Sequence, residues 1–252
     1  MPSKSESKIY DNETFFAPYL KATDEKITFV NFFAEQIAPN TKCDSLVDVG
    51  CFNGSLTIPL AAKLLTTGHK LKSVTGVEPS LSPLETFEAA SKPEMIKWIF
   101  LHATAEEFAN QSTAESYDWL IASHSLYWSG SQLKDVIENF RRISKRAAIV
   151  VRDEGFLHQF EIRHRPKIVH GKTFVSSAEV TQALSALGIN YSRHKMNSKM
   201  NVPPVTSPEF KNLIGFLLDL TESQLSESLM ADVRAELASS QTINAGIDVI
   251  WW

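Results

Sequence analysis

The stretch Val47-Asp48-Val49-Gly50-Cys51-Phe52-Asn53-Gly54 decides the fold. A short apolar run breaks into a glycine-punctuated turn. The residues that follow, Ser55 to Thr66, carry Leu56, Leu60, Leu64 and Leu65 on one helical face. Strand, tight turn and helix in that order open a nucleotide-type sheet, because such a turn lets backbone N–H groups approach a ligand closely. The chain spends only 10 glycines over 252 residues, so two of them within five positions mark a local requirement.

Working outward, the same alternation continues. Ser45 to Gly50, Ser73 to Glu78, Ile96 to His102, Trp119 to Ser123 and Ala147 to Arg152 read as five strands. Helices at Ser55 to Thr66, Pro83 to Ala90 and Leu133 to Ile143 fall between them, the pattern of a parallel sheet covered on both faces. Beyond Arg152, Ser176 and Glu179 form a capping box before a helix to Leu187 that Gly188 closes. Tyr191 to Val202 alternates as a strand, the segment after Pro208 is helical to about Ala238, and Ala245 to Trp252 reads as a terminal strand. Upstream, Phe15 to Ala38 reads as one helix with Phe29, Phe32, Phe33 and Ile37 on one face, ended by Pro39 and Asn40.

Composition narrows the function classes. With 43% hydrophobic and 21% charged residues the chain buries a sizeable core, and a formal charge of −4 gives no bulk reason to expect nucleic acid or an anionic membrane. One basic stretch, Arg141 to Lys172, holds nine Lys or Arg against three acids, a solvated face or a grip for phosphates. His158, His164 and His170 are spaced too loosely for a helical metal pair, so no metal site is expected. Cys43 and Cys51 form no disulfide framework, and the polar start MPSKSESK lacks the apolar core of a signal peptide. The expectation is a cytoplasmic protein without a membrane span, a monomer by preference.

The second strand ends Gly76-Val77-Glu78-Pro79-Ser80, which sets an acid where ribose hydroxyls lie in nucleotide-binding sheets. Together with the first turn, these residues resemble the class I S-adenosylmethionine-dependent methyltransferases. The resemblance implies a Rossmann-like, doubly wound seven-stranded α/β sheet with the last strand antiparallel, and a small helical substrate-binding cap. It divides the chain into an N-terminal helical lid (1–40), an S-adenosylmethionine-binding domain (41–200) and a C-terminal helical cap with the final strand (201–252). Asp48, Gly50, Phe52 and Gly54 would hold the methionine end of S-adenosylmethionine, and Glu78 the ribose. Phe52 departs from the pattern, standing where a middle glycine is usual. A dinucleotide pyrophosphate would need that glycine more than a methionine moiety does. His102-Ala103-Thr104-Ala105-Glu106 after the third strand makes Thr104 and Ala105 candidates for the adenine, Thr104 being equally suited to cap the next helix. Ser123 ends the fourth strand at the same crevice.

Over nearly its whole length the chain is also similar to histamine N-methyltransferase and related small-amine methyltransferases, in VEPS after the second strand, Leu126-Tyr127-Trp128 after the fourth and Phe174-Val175-Ser176-Ser177 before a late helix. That likeness implies a small-molecule amine or imidazole acceptor held by a lid acid, Asp24 or its neighbour Glu25, by His124 after the fourth strand, and by Asn244. His124 stands where the family has glutamine. Asp24 and His124 are the candidate catalytic pair, with His124 a general base near neutral pH. Phe15, Phe16, Tyr19, Tyr127 and Trp128 are candidate walls for a cationic or sulfonium group. An oxygen acceptor, an RNA or protein acceptor on the basic stretch, and a binding protein without turnover are the alternatives.

Overall fold

The computed structural model describes residues 13–127, 129–165, 175–238 and 240–252, with side chains from Phe16 onward. It begins with α1 (Glu13–Ala22) and α2 (Glu25–Phe32), which continues into a π-helical turn at Phe33–Ile37. The alternating part follows: β1 (Ser45–Val49), α3 (Thr57–Thr66), β2 (Ser73–Glu78), α4 (Leu81–Ala89), β3 (Lys97–His102), α5 (Ala105–Gln111), β4 (Trp119–Ser123), α6 (Leu133–Ile143) and β5 (Ala147–Arg152). Then come α7 (Phe156–His164), α8 (Ser177–Ala186), β6 (Ser192–Met196), β7 (Lys199–Asn201), α9 (Pro208–Leu218), α10 (Glu227–Leu237), β8 (Thr242–Asn244) and β9 (Ile247–Trp251).

Seven strands form one sheet in the order β3-β2-β1-β4-β5-β9-β6. The pairs among β1 to β5 are parallel, while β9 runs antiparallel to both β5 and β6, so the last strand is reversed as the sequence implied. Central strands are apolar on both faces because helices cover both. Leu46, Ile121 and Val150 join one core with α2 and α3, while Val47, Leu120 and Ile149 join a second with α6 and α8. Trp251 packs on the first core and Trp252 on the second, as neighbouring strand residues must.

A third core brings together α1 (Phe16, Tyr19), α7 (Leu157, Phe160), α9 (Phe210, Leu213, Leu217) and α10 (Met230, Val233). It meets the β1 turn at Phe52. This cap closes over the carboxyl ends of the strands, where α/β sheets bind their ligands.

Helix α7 and strand β8 were not expected from the sequence, and three of the expected elements take a different form. The expected single helix from Phe15 to Ala38 breaks at Thr23 and Asp24. Thr23 bridges to Met200, the Thr23 hydroxyl accepts the Glu25 N–H at 3.2 Å, and Asp24 Oδ1 accepts from Ser198 Oγ and Lys199 N at 2.9 Å each. Thr and Asp offer the backbone these alternatives to a continued helix. The strand expected from Tyr191 to Val202 divides at Asn197 and Ser198: β6 stays in the main sheet, while β7 leaves to pair with β8. The helical segment after Pro208 is two helices, parted where Asp219 takes a left-handed conformation (φ 55°).

Candidate active site

The β1 turn is shaped by contacts that leave no choice of residue at its two glycines. Gly50 has φ +79°, and a Cβ there would sit 2.4 Å from the Ser125 Cβ; Gly54 has φ +75°, and a Cβ would lie 2.2 Å from the Phe87 ring. Between them Phe52 takes φ 49°, a left-handed conformation that costs a non-glycine residue roughly 1–2 kcal/mol. Two contacts hold it there. Its N–H donates to Glu78 Oε2 at 2.9 Å, and its ring meets Phe16 of α1 at a 4.2 Å centroid separation. Phe52 therefore fastens the first helix to the turn.

Two acids at this turn are buried and raised. Asp48 Oδ2 accepts from the Thr57 hydroxyl at 2.5 Å, whereas Oδ1 has no partner. Burial pushes its carboxyl up to about 6, against the Thr57 bond and the nearby Lys26 charge. Glu78 Oε1 accepts from Ser80 N at 2.9 Å, so each of its oxygens holds one backbone amide and keeps further lone pairs to accept with. Burial lifts Glu78 to about 7 despite those amides. Beside the turn the Ser125 Oγ is buried without a partner. Lys26 bonds Ser55 Oγ, lies 4.9 Å from the Phe16 ring centroid and is lowered by burial to about 8. Orphaned acceptor, orphaned hydroxyl and adjacent cation suit a ligand with both ammonium and carboxylate groups, and the Glu78 lone pairs suit a diol. After β3, Thr104 caps α5 in a reciprocal box with Glu107, and Ala105 is the first helical residue. Ser123 is the half-buried end of β4, opposite Val150 of β5.

On the other side of the crevice a chain of side chains crosses from α1 to β5. Tyr19 Oη donates to Glu25 Oε2 at 2.7 Å, Glu25 Oε1 meets His124 Nε2, and His124 Nδ1 meets the Tyr127 hydroxyl. Burial opposes the Glu25 charge, but His124, Arg152 and the Tyr19 hydroxyl outweigh it and hold the carboxyl at about 2. An ionised carboxylate only accepts, so Nε2 carries the hydrogen of this contact and, in a neutral imidazole, Nδ1 accepts from Tyr127. Burial, then the Glu25 charge, pushes the Tyr19 hydroxyl well above the usual phenol range; burial likewise raises Tyr127. Arg152 at the end of β5 lies 5.9 Å from the Tyr19 ring centroid and 6.0 Å from that of Tyr127, and its Nε is 2.9 Å from Glu161 Oε1 of α7. Within this cluster His124 has the most open surface, 20% of its side chain, so it marks where the cluster can be reached. It too is left-handed, at φ 56°.

Of the two lid acids, the structure turns Glu25 toward His124. Asp24 is exposed and tied to the β7 backbone, because it occupies the break before α2 while Glu25 is the first residue of its buried face. Asn244 is an exposed residue of β8 opposite Lys199 and is not joined to the cluster by any hydrogen bond. The Phe15 side chain and Trp128 lie outside the described residues, as do Lys167, His170 and Lys172 of the basic stretch. The rest of that stretch is largely engaged within the fold: Arg142 with the Ser112 and Ala109 carbonyls, Lys145 with Asp118, Arg163 with Glu236, Arg165 with the Leu217 and Leu218 carbonyls. Among the described residues no His, Cys, Asp or Glu cluster could hold a metal, and no helix is long and apolar enough to cross a membrane. Sequence reasoning missed Lys26, Ser125, Arg152 and Glu161 as members of the site. The one available signal was a charged residue ending an otherwise apolar fifth strand.

Residues 46–147 match the family model described as a methyltransferase domain. No curated protein matches the sequence. The fold is similar to the cyclopropane synthase MmaA2 from Mycobacterium tuberculosis, at TM-score 0.59 and 13% identity over 100% of this chain and 99% of that one. It is also similar to a methyltransferase from Thermotoga maritima described as a possible histamine N-methyltransferase (TM-score 0.55, 14% identity, 98% of each chain). A third likeness is to magnesium protoporphyrin IX methyltransferase from Synechocystis, solved with bound S-adenosylhomocysteine (TM-score 0.53, 13% identity, 95% of this chain and 85% of that one). At such identities the likeness carries the fold, and these three neighbours bear different reaction names.

Proposed function

We propose, for a chain that carries a class I S-adenosylmethionine-dependent methyltransferase domain, that the methyl acceptor is a nitrogen of a small molecule. The observation that carries this reading is the pair of buried Glu25 and half-buried His124 at the carboxyl end of β4. S-adenosylmethionine, when bound, supplies an electrophilic methyl group. Asp48, Ser125 and Lys26 hold its amino-acid end, Glu78 its ribose hydroxyls, and the N-terminus of α5 at Thr104 and Ala105 its adenine. Phe16 and Phe52 close the turn against water.

A nitrogen that gains a methyl group must lose a proton to end neutral. His124 Nδ1 is the atom placed to take it, in exchange for the Tyr127 hydroxyl, and the Glu25 charge stabilises the imidazolium. Glu25 also fixes the ring through Nε2, as a carboxylate does for a catalytic imidazole. A carboxylate acceptor, already ionised, has no need of such a pair, whereas a hydroxyl acceptor would use it as a nitrogen does, which is why the acceptor panel below includes phenols. Positioning supplies the remainder of the rate.

The test has two parts. Calorimetry is expected to show micromolar S-adenosylhomocysteine binding that Glu78→Ala weakens about 10- to 100-fold, the loss of two charge-assisted hydrogen bonds. An acceptor panel of amines, imidazoles, phenols and acids is expected to give product on nitrogen compounds; product confined to phenols or acids contradicts the nitrogen reading.

A further inference from the structure

The proton handling proposed above uses Glu25, His124 and Tyr127, and Arg152 enters it only through the effect of its charge on Glu25. This arginine is 4% exposed and sits against the rings of Tyr19 and Tyr127, the two tyrosines bonded to Glu25 and His124. Its pairing with Glu161 is incomplete on both sides. Nε approaches Glu161 Oε1 at 2.9 Å without hydrogen-bond alignment, Nη1 has no hydrogen-bond partner, and neither has Glu161 Oε2. A guanidinium kept only to neutralise Glu161 would turn its planar fork squarely onto that carboxylate, since a buried unpaired donor is costly. Arg152 acts most on the Glu161 charge, and Arg165, His158 and His124 act on it as well.

We propose that Arg152 anchors a carboxylate of the methyl acceptor, so that the acceptor is a small amino acid or similar zwitterion with its nitrogen at the Glu25–His124 pair. This rests on the nitrogen-acceptor reading above. Three features fit a carboxylate in particular. The free edge of a guanidinium is planar and two-pronged, as a carboxylate is. Glu25 and Glu161 already act on Arg152 with negative charge, so they oppose a dianion such as a phosphate monoester more strongly than the single charge of a carboxylate. Burial raises Glu161 whereas its partners lower Glu25, so of the two acids beside Arg152 Glu161 is the more readily protonated.

The experiment uses the full-length protein saturated with S-adenosylhomocysteine. Matched amines that differ only in an α-carboxylate (histidine and histamine, glycine and methylamine, tyrosine and tyramine) are titrated calorimetrically, and each is also assayed for methyl transfer with S-adenosylmethionine. In at least one pair the carboxylated member is expected to bind at least about tenfold more tightly, the worth of one charge-assisted hydrogen bond. That ratio is expected to fall toward one in Arg152→Lys, which keeps the charge but loses the fork. It should fall likewise in the double variant Arg152→Met with Glu161→Gln, which strands no buried charge. Thermal melts with S-adenosylhomocysteine establish that both variants are folded. Equal or tighter binding of the decarboxylated members throughout, or a ratio unmoved in both variants, overturns the anchor. Methylation of the decarboxylated amines with no carboxylate preference overturns it while leaving the nitrogen reading in place. Carboxylate binding that needs Arg152, with product on oxygen alone, sustains the anchor and removes the nitrogen reading.

Discussion

The β1 turn and the cluster between α2 and β5 both bury carboxyl groups, and they treat them in opposite ways. At the turn, Asp48 and Glu78 are raised to about 6 and 7, because burial strips water from them and only a few donors replace it. In the cluster, Glu25 is as deeply buried yet held at about 2, because a ring N–H, a phenol and a guanidinium surround it. The first region is short of donors until a ligand brings them. In the second both oxygens of Glu25 and both ring nitrogens of His124 already have partners, so on the proposed reading an acceptor nitrogen enters by exchange with the Tyr127 hydroxyl. The proposed cofactor site draws mainly on backbone amides and two neighbouring strand ends, whereas the proposed acceptor site needs side chains delivered from the lid, from two strand ends and from α7.

The largest effect that would sharpen this contrast falls on the cluster. Glu25→Gln is expected to lower the rate of methyl transfer about 10²- to 10³-fold, the typical worth of a supported general base, while S-adenosylhomocysteine affinity changes little. Single-turnover rates with calorimetry check it, and a matching loss of cofactor affinity would erase the distinction between the regions. Next is Gly54→Ala, which sets a Cβ into the Phe87 ring at a left-handed position and is expected to cost about 2–4 kcal/mol in urea unfolding.

A third test uses pH. Cofactor binding through an ionised Glu78 is expected to weaken as pH falls below about 7, by at most about tenfold per unit, and to lose that dependence in Glu78→Gln. Stability runs the other way for the two regions. The lowered Glu25 contributes stability that is full above its ordinary value near 4.5 and is lost as pH falls toward about 2. The raised Asp48 and Glu78 impose a cost that grows as pH rises from about 4 to about 7 and that bound cofactor relieves. Melting curves with and without S-adenosylhomocysteine are expected to diverge over that interval. The smallest effect is Phe52→Gly: it relieves the left-handed strain but gives up the Phe16 contact, so stability is expected to change by less than about 1.5 kcal/mol.

How far each region could be read from sequence follows from the same contrast. Asp48, Gly50, Gly54 and Glu78 lie on two neighbouring strand ends of one alternating unit, and local spacing places them. The seven-stranded sheet and its reversed last strand were expected from the family that this unit resembles, whereas the strand order came from the structure. The cluster is assembled across long sequence separations, Glu25 to His124 spanning 99 positions, and no periodicity reports such a meeting. Which of two adjacent acids faced the crevice depended on a helix break at Thr23 and Asp24 that is held by β7, so it was invisible until β7 was placed. Arg152 read as part of a basic stretch because charge counting carries no direction. The strand end turns it inward among two tyrosines and Glu161.

A crystal structure with S-adenosylhomocysteine bound tests the central claim most directly. The ribose hydroxyls are expected on Glu78 and the sulfur within about 8 Å of His124, the span of a transferring methyl, a nitrogen acceptor and one hydrogen bond. A cofactor that leaves Glu78 unbound, or a sulfur more than about 10 Å from His124, too far for that bridge, would contradict it.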